Sequence, residues 1–289
     1  MIPAPLADAI EARLGLRVLA AAAVSGGDIN QAASVDLEGG TRVFVKWNPR
    51  APGTMFPAEA RGLAWLAEAK ALRIPNVLAV SEPDDAVRFL VLEWIASGRP
   101  ARGFDDRLGQ GLAALHRAGA PGFGFEQDNF IGSLPQENAP KPTWAEFFAA
   151  RRLDPQLRRA VDAGRASYSM RRGFERLFAR LSEFVGPEEP PARLHGDLWG
   201  GNLHVDGDGH PCLIDPAVYG GHREVDLAMM RLFGGFSERV FTAYAEAHPL
   251  AAGAEERVAL YQLYPLLVHL NLFGGSYGAS VERALARYV

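Results

Sequence analysis

The sequence predicts an α+β fold in two lobes: a small N-terminal lobe, residues 1–96, built on an antiparallel β-sheet with one helix, and a larger helical lobe, residues 97–289. Three observations carry this expectation. Residues 16 to about 95 read as short strands broken by glycine turns. Beyond a hinge at Ser97-Gly98-Arg99-Pro100 the texture changes to long amphipathic helices, and a Gly- and Asp-rich stretch, residues 192–222, interrupts them.

In chain order, the first residues read as a short helix running into a strand. Strands follow at Val18–Val24, Ala32–Leu37 and Thr41–Trp47, with Gly26, Gly27, Gly39 and Gly40 at the turns. In the third strand Val43 and Val45 alternate with Phe44 and Lys46, and a period of two sends the valines to one sheet face and Lys46 to the other. The segment from Phe56 to about Lys70 carries Ala60, Leu63, Ala64 and Ala67 at helical spacing, with Glu59 in its first turn. Val77–Val80 and Arg88–Trp94 complete a five-stranded sheet. The helical lobe is expected to use Asp105–Ala118, Trp144–Arg152, Tyr168–Val185, Glu224–Phe233, Glu238–His248, Glu255–Phe273 and Val281–Tyr288.

Composition narrows the function classes. Of the 289 residues 48% are hydrophobic and 22% charged, which is the balance of a globular protein. Lys plus Arg number 30 against 34 Asp plus Glu, a formal charge of -4, and no basic stripe is long enough to follow a phosphate backbone; nucleic acid is not an expected partner. The single cysteine, Cys212, lies in an apolar run and reads as a buried strand residue. Charged residues interrupt the apolar N-terminal stretch, so it does not read as a signal peptide. No run approaches the roughly 18 apolar residues of a membrane span. No membrane and a cytoplasmic location are the resulting expectations.

The chemistry concentrates in His195-Gly196-Asp197-Leu198-Trp199-Gly200-Gly201-Asn202 and, thirteen residues further on, in Asp215 behind the apolar run Cys212-Leu213-Ile214. Phosphoryl transfer from a nucleotide needs a carboxylate to take the proton of an acceptor hydroxyl and oxygen ligands to hold a divalent cation on the phosphates. The five-residue offset from Asp197 to Asn202 equals that between the Asp and Asn of the protein-kinase catalytic loop, which makes Asp197 the expected base and Asn202 a metal ligand. Asp215 is the expected second ligand, since Mg²⁺ takes carboxylate and amide oxygens together with phosphate. His195 is expected to brace the loop by hydrogen bonding.

Such a centre also needs a strand lysine on the phosphates and a helix glutamate to orient it, and Lys46 and Glu59 are the candidates. The turn Gly26-Gly27-Asp28-Ile29-Asn30 could lay backbone N–H groups over the phosphates, with Gly26, Gly27 and Asn30 as contacts. Glu93, Trp94 and Ile95, ending the last strand of the first lobe, are the candidates for the adenine contact.

These residues resemble the fructosamine/ketosamine-3-kinase family, related to aminoglycoside phosphotransferases and choline kinases within the protein-kinase-like superfamily. The resemblance spans nearly the whole chain. It rests on Gly26 to Asn30, Val43 to Lys46, Phe56 to Leu63, Leu115-His116, Asp128-Asn129-Phe130-Ile131-Gly132, Trp144 to Arg152, the His195 to Asn202 loop, and Asp215 to Tyr219 continuing through His222 to Ala228. It implies transfer of the ATP γ-phosphate to the 3-hydroxyl of a ketosamine, such as a fructosamine or ribulosamine, free or on a protein lysine, which leads to deglycation. ATP and Mg²⁺ are the implied cofactors, and a monomer or weak homo-oligomer is expected.

Two departures stand out: Gly196 occupies the place of the protein-kinase Arg, and Gly220 follows Tyr219 where the family often has a second aromatic residue. Asp128, Asn129, Trp199, Tyr219 and His222 are the candidates for holding a sugar on an amine. Trp144 and Phe147, at helical core spacing, are expected to pack. The alternative readings are a phosphotransferase for another hydroxylated amine, aminoglycoside- or choline-kinase-like, and a nucleotide-binding pseudokinase.

Overall fold

A computed structural model of the chain describes residues 2–24 and 29–289. It divides into two compact units. The first comprises the residues up to Arg102 together with His204–Asp215, and the second comprises Gly103–Leu203 with Pro216–Val289.

The first unit opens with helix α1 (Ala4–Leu14), which has a proline at its start and ends at Gly15, whose φ of 70° lets its N–H reach back to the Glu11 carbonyl. Strands β1 (Val18–Ala23), β2 (Gln31–Leu37) and β3 (Arg42–Trp47), helix α2 (Met55–Glu68), and strands β4 (Val77–Val80) and β5 (Phe89–Glu93) follow. The strands form one antiparallel sheet in the order β1-β2-β3-β5-β4, so the central β3 is hydrogen-bonded on both sides and Lys46 pairs across to Ala32 and Leu90. The alternation in β3 takes effect as the sequence predicts. Val43 and Val45 are fully buried with Val35, Leu37 and Val91 beneath Leu6 and Ile10 of α1, each such side chain contributing about 1.5–3 kcal/mol. Lys46 emerges on the other face.

Residues 204–215 are tied into this unit by specific bonds. Gly98 N–H donates to the Val205 carbonyl, Leu213 N–H donates to the Arg73 carbonyl, and Arg73 donates to Asp206 at 2.8 Å. Asp206 is itself held by the N–H groups of Asp208 and His210, which with Arg73 keep its carboxyl well below the usual range, near 2. Cys212 is buried, and desolvation pushes its thiol up to about 12.

The second unit is mainly helical, with α3 (Phe104–Arg117), a hairpin of β6 (Asn129–Ile131) and β7 (Leu134–Gln136), α4 (Trp144–Phe147), α5 (Asp154–Asp162), α6 (Tyr168–Phe184), β8 (Ala192–Leu194) and β11 (Tyr219–Gly221), then α7 (Glu224–Phe233), α8 (Glu238–Ala247), α9 (Ala254–Phe273) and α10 (Tyr277–Leu285); between β8 and β11 in the chain run β9 (Leu203–Val205) and β10 (Pro211–Leu213). β9 and β10, reached here in chain order, pair with each other, and nearly all of their residues belong to the first unit; β8 pairs with β11. Helix α9 is the spine, burying Leu260, Tyr261, Leu263, Tyr264 and Leu267. Trp144 and Phe147 pack in the same core, as expected.

The α+β class, with its five-stranded antiparallel sheet and helical part, is borne out. Several details differ. The helical run that begins at Trp144 continues past Arg152 through a wider turn, Phe148–Leu153, into α5. The three-residue strands β6, β7, β8 and β11 are too short to display a period. Helix α10 begins at Tyr277, ahead of the predicted Val281.

Candidate active site

Lys46 points from β3 toward α2. Its ammonium lies 2.8 Å from Glu59 Oε1 and 2.7 Å from Asp215 Oδ1. Glu59 stands in the second turn of α2 rather than the first, because the helix starts at Met55. The side chains of Lys46 and Glu59 are 8% and 13% exposed and that of Asp215 is 41% exposed, so the cluster is closed on the sheet side and open at Asp215. Burial alone would lower the Lys46 pKa, but Asp215 and Glu59 outweigh it and hold the amine protonated above its ordinary range. For Glu59, burial pushes the carboxyl up and Asp215 adds to this, against the pull of Lys46.

Asp215 adopts φ 55°, one of two positive values among the described non-glycine residues. The residue before a proline is normally driven to extended backbone, so this conformation, just ahead of Pro216, is doubly unfavourable and costs on the order of 1–3 kcal/mol. The ion pair with Lys46 offsets it.

The second unit holds the His195–Asn202 loop. Asp226, fully buried in the first turn of α7, accepts the backbone N–H groups of His195 at 2.8 Å and Gly196 at 2.9 Å. His116 Nε2 lies 3.2 Å from Asp226, and the other ring nitrogen lies 2.8 Å from the Tyr244 hydroxyl. Burial by itself would raise the Asp226 pKa; His116, His195 and the Gly196 N–H outweigh it and lower it below the usual carboxylate value. Gly196 has φ 83°, and a Cβ there would collide with the Ala217 carbonyl, which explains glycine at this place.

With the loop fixed from behind, Asp197 and Asn202 meet side by side. Asn202 Nδ2 donates to the Asp197 carbonyl at 2.8 Å and to its carboxylate at 3.1 Å. His195 is buried, and its Nδ1 accepts the Asp197 N–H at 3.3 Å, the bracing contact expected of it.

The remaining candidates divide. Gly26 and Gly27 lie outside the described residues. Asn30 accepts from Asn48 Nδ2 at 3.2 Å just past the end of β3. The Glu93 carboxylate is turned toward Asn76, accepting its backbone and side-chain N–H groups, and Trp94 lies beneath the Arg42 guanidinium at 5.8 Å. Ile95 follows, half-buried.

Of the five acceptor candidates, Trp199 and Asp128 are exposed, and Asp128 accepts the Asn138 N–H at 2.7 Å. The other three are buried within the helical unit. Asn129 donates to the Val218 carbonyl and accepts from Gln136 and Asn138. Tyr219 is buried under the Arg152 guanidinium, 3.7 Å from its ring centre. His222 stacks on Tyr261 at 5.3 Å, and burial brings its pKa down to about 4. Gly220, the second departure, is required because a Cβ would strike the Gly122 carbonyl.

Asp226 and His116 are the positioning residues that sequence reasoning left without a role. The available signal was an acid inside the apolar run Val225-Asp226-Leu227-Ala228, since such an acid needs a partner.

A strand lysine clamped by a helix glutamate and an aspartate, with an Asp–Asn pair on a braced loop, defines the class: an ATP-dependent phosphotransferase of the protein-kinase-like fold acting on a hydroxyl group. Within that class the chain belongs to the fructosamine kinase family, whose sequence profile matches residues 6–289. A protein of Enterococcus faecium assigned as a ketoamine kinase is 39% identical, with 92% of this chain and 94% of that protein covered. The chloroplastic protein-ribulosamine 3-kinase of Arabidopsis thaliana is 38% identical over 92% of this chain and 81% of its own length. A crystal structure from Thermobifida fusca, assigned as a fructosamine-3-kinase, superposes with a TM-score of 0.90 at 40% identity over 98% of both chains. Aminoglycoside phosphotransferase APH(4)-Ia, at 20% identity, a TM-score of 0.62 and coverage of 97% and 96%, shares the fold alone. Among the described residues no helix is long and apolar enough to cross a membrane.

Proposed function

We propose that this enzyme transfers the γ-phosphoryl group of ATP to the 3-hydroxyl of a ketosamine, a fructosamine or ribulosamine, and so initiates its deglycation. The observation that carries the reading is the Lys46 ammonium held between Glu59 and Asp215, a fixed cation of the kind that nucleotide phosphates require. The names of the curated relatives, ketoamine kinase and protein-ribulosamine 3-kinase, support the acceptor class.

In this reading the first lobe, residues 1–96, binds the nucleotide. Lys46 engages the phosphates, Glu59 keeps it oriented, Gly26, Gly27 and Asn30 are the proposed further phosphate contacts, and Glu93 to Ile95 meet the adenine through backbone groups. Asp197 takes the proton of the attacking hydroxyl as that oxygen bonds to the γ-phosphorus and the bond to the bridging oxygen of ADP breaks. The donor set fits Mg²⁺: the Asp215 carboxylate and the Asn202 amide oxygen are hard ligands, two where phosphate oxygens and water complete the shell. Mg²⁺ bound there supplies charge neutralisation at the phosphates. Trp199, exposed two residues beyond Asp197, is the acceptor-side residue.

The test is a phosphate-transfer assay over ribulosamines, fructosamines, aminoglycosides and choline, with the product position read by phosphorus and carbon NMR. Phosphorylation at O3 of a ketosamine is expected. Turnover confined to the other alcohols would replace the acceptor class, and no turnover with any of them would leave a nucleotide-binding protein.

A further inference from the structure

The helical unit contains a guanidinium with no access to solvent. Arg152 lies on the wider turn Phe148–Leu153, which turns Phe148, Arg152 and Leu153 all inward. Among the described residues no carboxylate forms an ion pair with it. Its N–H groups go to neutral oxygens instead: Nη1 donates to the carbonyls of Glu137 at 2.7 Å and Arg151 at 3.0 Å, Nη2 donates to Asn138 Oδ1 at 2.7 Å, and Nε donates to none. Three rings surround the group, with Tyr219 at 3.7 Å, Phe147 at 4.6 Å and Tyr264 at 5.6 Å from its central carbon.

Stability alone does not call for an arginine at this place. A buried charge without a counter-ion bears a desolvation cost, and apolar side chains of similar volume commonly replace buried ionic groups without loss. What a planar fork stacked on a ring does better than a flexible chain, or a lysine, is to fix where that ring stands.

The ring held most closely is that of Tyr219 in β11. Tyr219 pairs across to Leu194 in β8, and the next residue after Leu194 opens the catalytic loop. The edge of the ring is packed on that loop, since a Cβ at Gly196 would lie 3.2 Å from Tyr219 Cε1. The two residues before Tyr219 are held as well. Ala217 N–H donates to the His195 carbonyl at 2.9 Å, the Ala217 carbonyl accepts from Gln136 at 3.1 Å, and the Val218 carbonyl accepts from Asn129 at 2.8 Å. Gln136 and Asn138 both donate to Asn129 Oδ1, at 2.8 and 2.9 Å, so the hydrogen bonds run without a break from Arg152 through Asn138 and Asn129 to Gln136. Tyr264 closes the chain by donating to Gln136 Oε1 at 2.6 Å. Burial raises the pKa of its hydroxyl against the pull of Arg152, and Asp197 adds to the rise, so this ring stands within electrostatic reach of both.

We propose that Arg152 is a positioning residue for phosphoryl transfer: through the Tyr219 ring and the Asn138–Asn129–Gln136 chain it fixes the backbone of His195 to Asp197, and with it the reach of the Asp197 carboxylate toward the acceptor hydroxyl. This rests on the reading of Asp197 as the base and names a group that holds it from within the core. Asp226 secures the same loop by its N–H groups; Arg152 acts on it from the β11 side.

The experiment measures kcat, KM for ATP and Tm for the wild type, Arg152→Met, Arg152→Lys, Tyr219→Leu and the double variant Arg152→Met/Tyr219→Leu. Folded enzyme is counted by the stoichiometry of nucleotide binding in calorimetry, and rates are taken well below each Tm. Arg152→Met and Tyr219→Leu should each lower kcat about 10–100-fold, the scale of a misplaced catalytic group, with KM for ATP nearly unchanged. Arg152→Lys keeps the charge without the fork and should fall with Arg152→Met. The double variant should be no slower than the slower single one, because the two residues act in one line. A wild-type kcat per folded molecule in Arg152→Met, whatever its Tm, would reduce the residue to a packing role and overturn the proposal. Full activity in Arg152→Lys, or losses that multiply in the double variant, would overturn it too. If Arg152→Met does not fold, Tyr219→Leu decides, and an undiminished kcat there refutes the route through the ring. Should the acceptor prove to be another alcohol, the same comparison on that alcohol tests Arg152 while the ketosamine reading alone falls; a wild type that phosphorylates none of the acceptors removes both.

Discussion

Lys46 and Asp215 stand 169 positions apart in the chain, yet the ammonium of one lies 2.7 Å from the carboxylate of the other. Two features make this meeting possible. The hydrogen bonds of Val205, Asp206 and Leu213 to Gly98 and Arg73 incorporate the segment before Asp215 into the sheet-containing unit, and the left-handed backbone of Asp215 aims its side chain. A buried cation shared by two acids also sets the consequences of removing it.

Replacing Lys46 by Met leaves Glu59 and Asp215 facing each other without a counter-charge. Breaking a fully buried pair in this way costs about 3–5 kcal/mol, and the open side of Asp215 should bring the loss to the lower end of that range. The double variant Lys46→Met/Glu59→Gln removes one of the two stranded charges and should recover part of it. Thermal denaturation measures both proteins, and a double variant no more stable than the single one would contradict the pairing. Nucleotide affinity should be weak in both.

Asp197→Asn keeps the hydrogen bond from Asn202 but removes the base. The expected result is a fall in kcat of about 10²–10⁴-fold with ATP affinity largely kept. Asp215→Ala should instead weaken Mg–ATP binding itself. Calorimetric titration beside steady-state rates separates the two, and unchanged turnover in Asp197→Asn would take that residue out of the mechanism.

What could be read from the sequence follows how local each signal is. The valine–lysine alternation of β3 placed Lys46 on the correct face, and the stripe of α2 placed Glu59 to within one turn, because a period survives in a short window. The Asp197–Asn202 offset was legible because one tight loop contains both residues. The burial of Asn129, Tyr219 and His222 was not legible, since residue type signals hydrogen-bonding capacity and not burial. Their partners, Val218, Arg152 and Tyr261, are set by tertiary packing across up to 89 positions. Asp226 was hidden for the same reason: it acts on backbone N–H groups, which every residue has.

Asp226→Ala is expected to strand the buried N–H groups of His195 and Gly196, at about 1–3 kcal/mol each, and to lower kcat by loosening Asp197. Asp226→Asn restores one acceptor oxygen and should recover part of both losses. Because the folded pKa lies below 3.8, the stabilisation due to this carboxylate is complete above 3.8 and declines as the pH falls through the folded value. The gap in Tm between wild type and Asp226→Asn should therefore be constant near neutrality and narrow in strong acid. A gap that widened in acid would have the wrong sign for an ionised Asp226.

His222 gives the opposite kind of test, in milder acid. Packed on Tyr261 and desolvated, it stays neutral down to about 4, whereas in the unfolded chain it takes up a proton near 6.5. The unfolded state then binds more protons between these values, so stability is complete above 6.5 and falls as the pH drops toward 4. His248, also lowered to about 4, adds to the same slope. Replacing His222 by Phe preserves a ring against Tyr261 and removes one titrating site, so the fall in Tm between pH 6.5 and 4 should be shallower in the variant than in the wild type. Parallel curves would show that His222 titrates alike in both states and would overturn its assignment as a neutral buried ring.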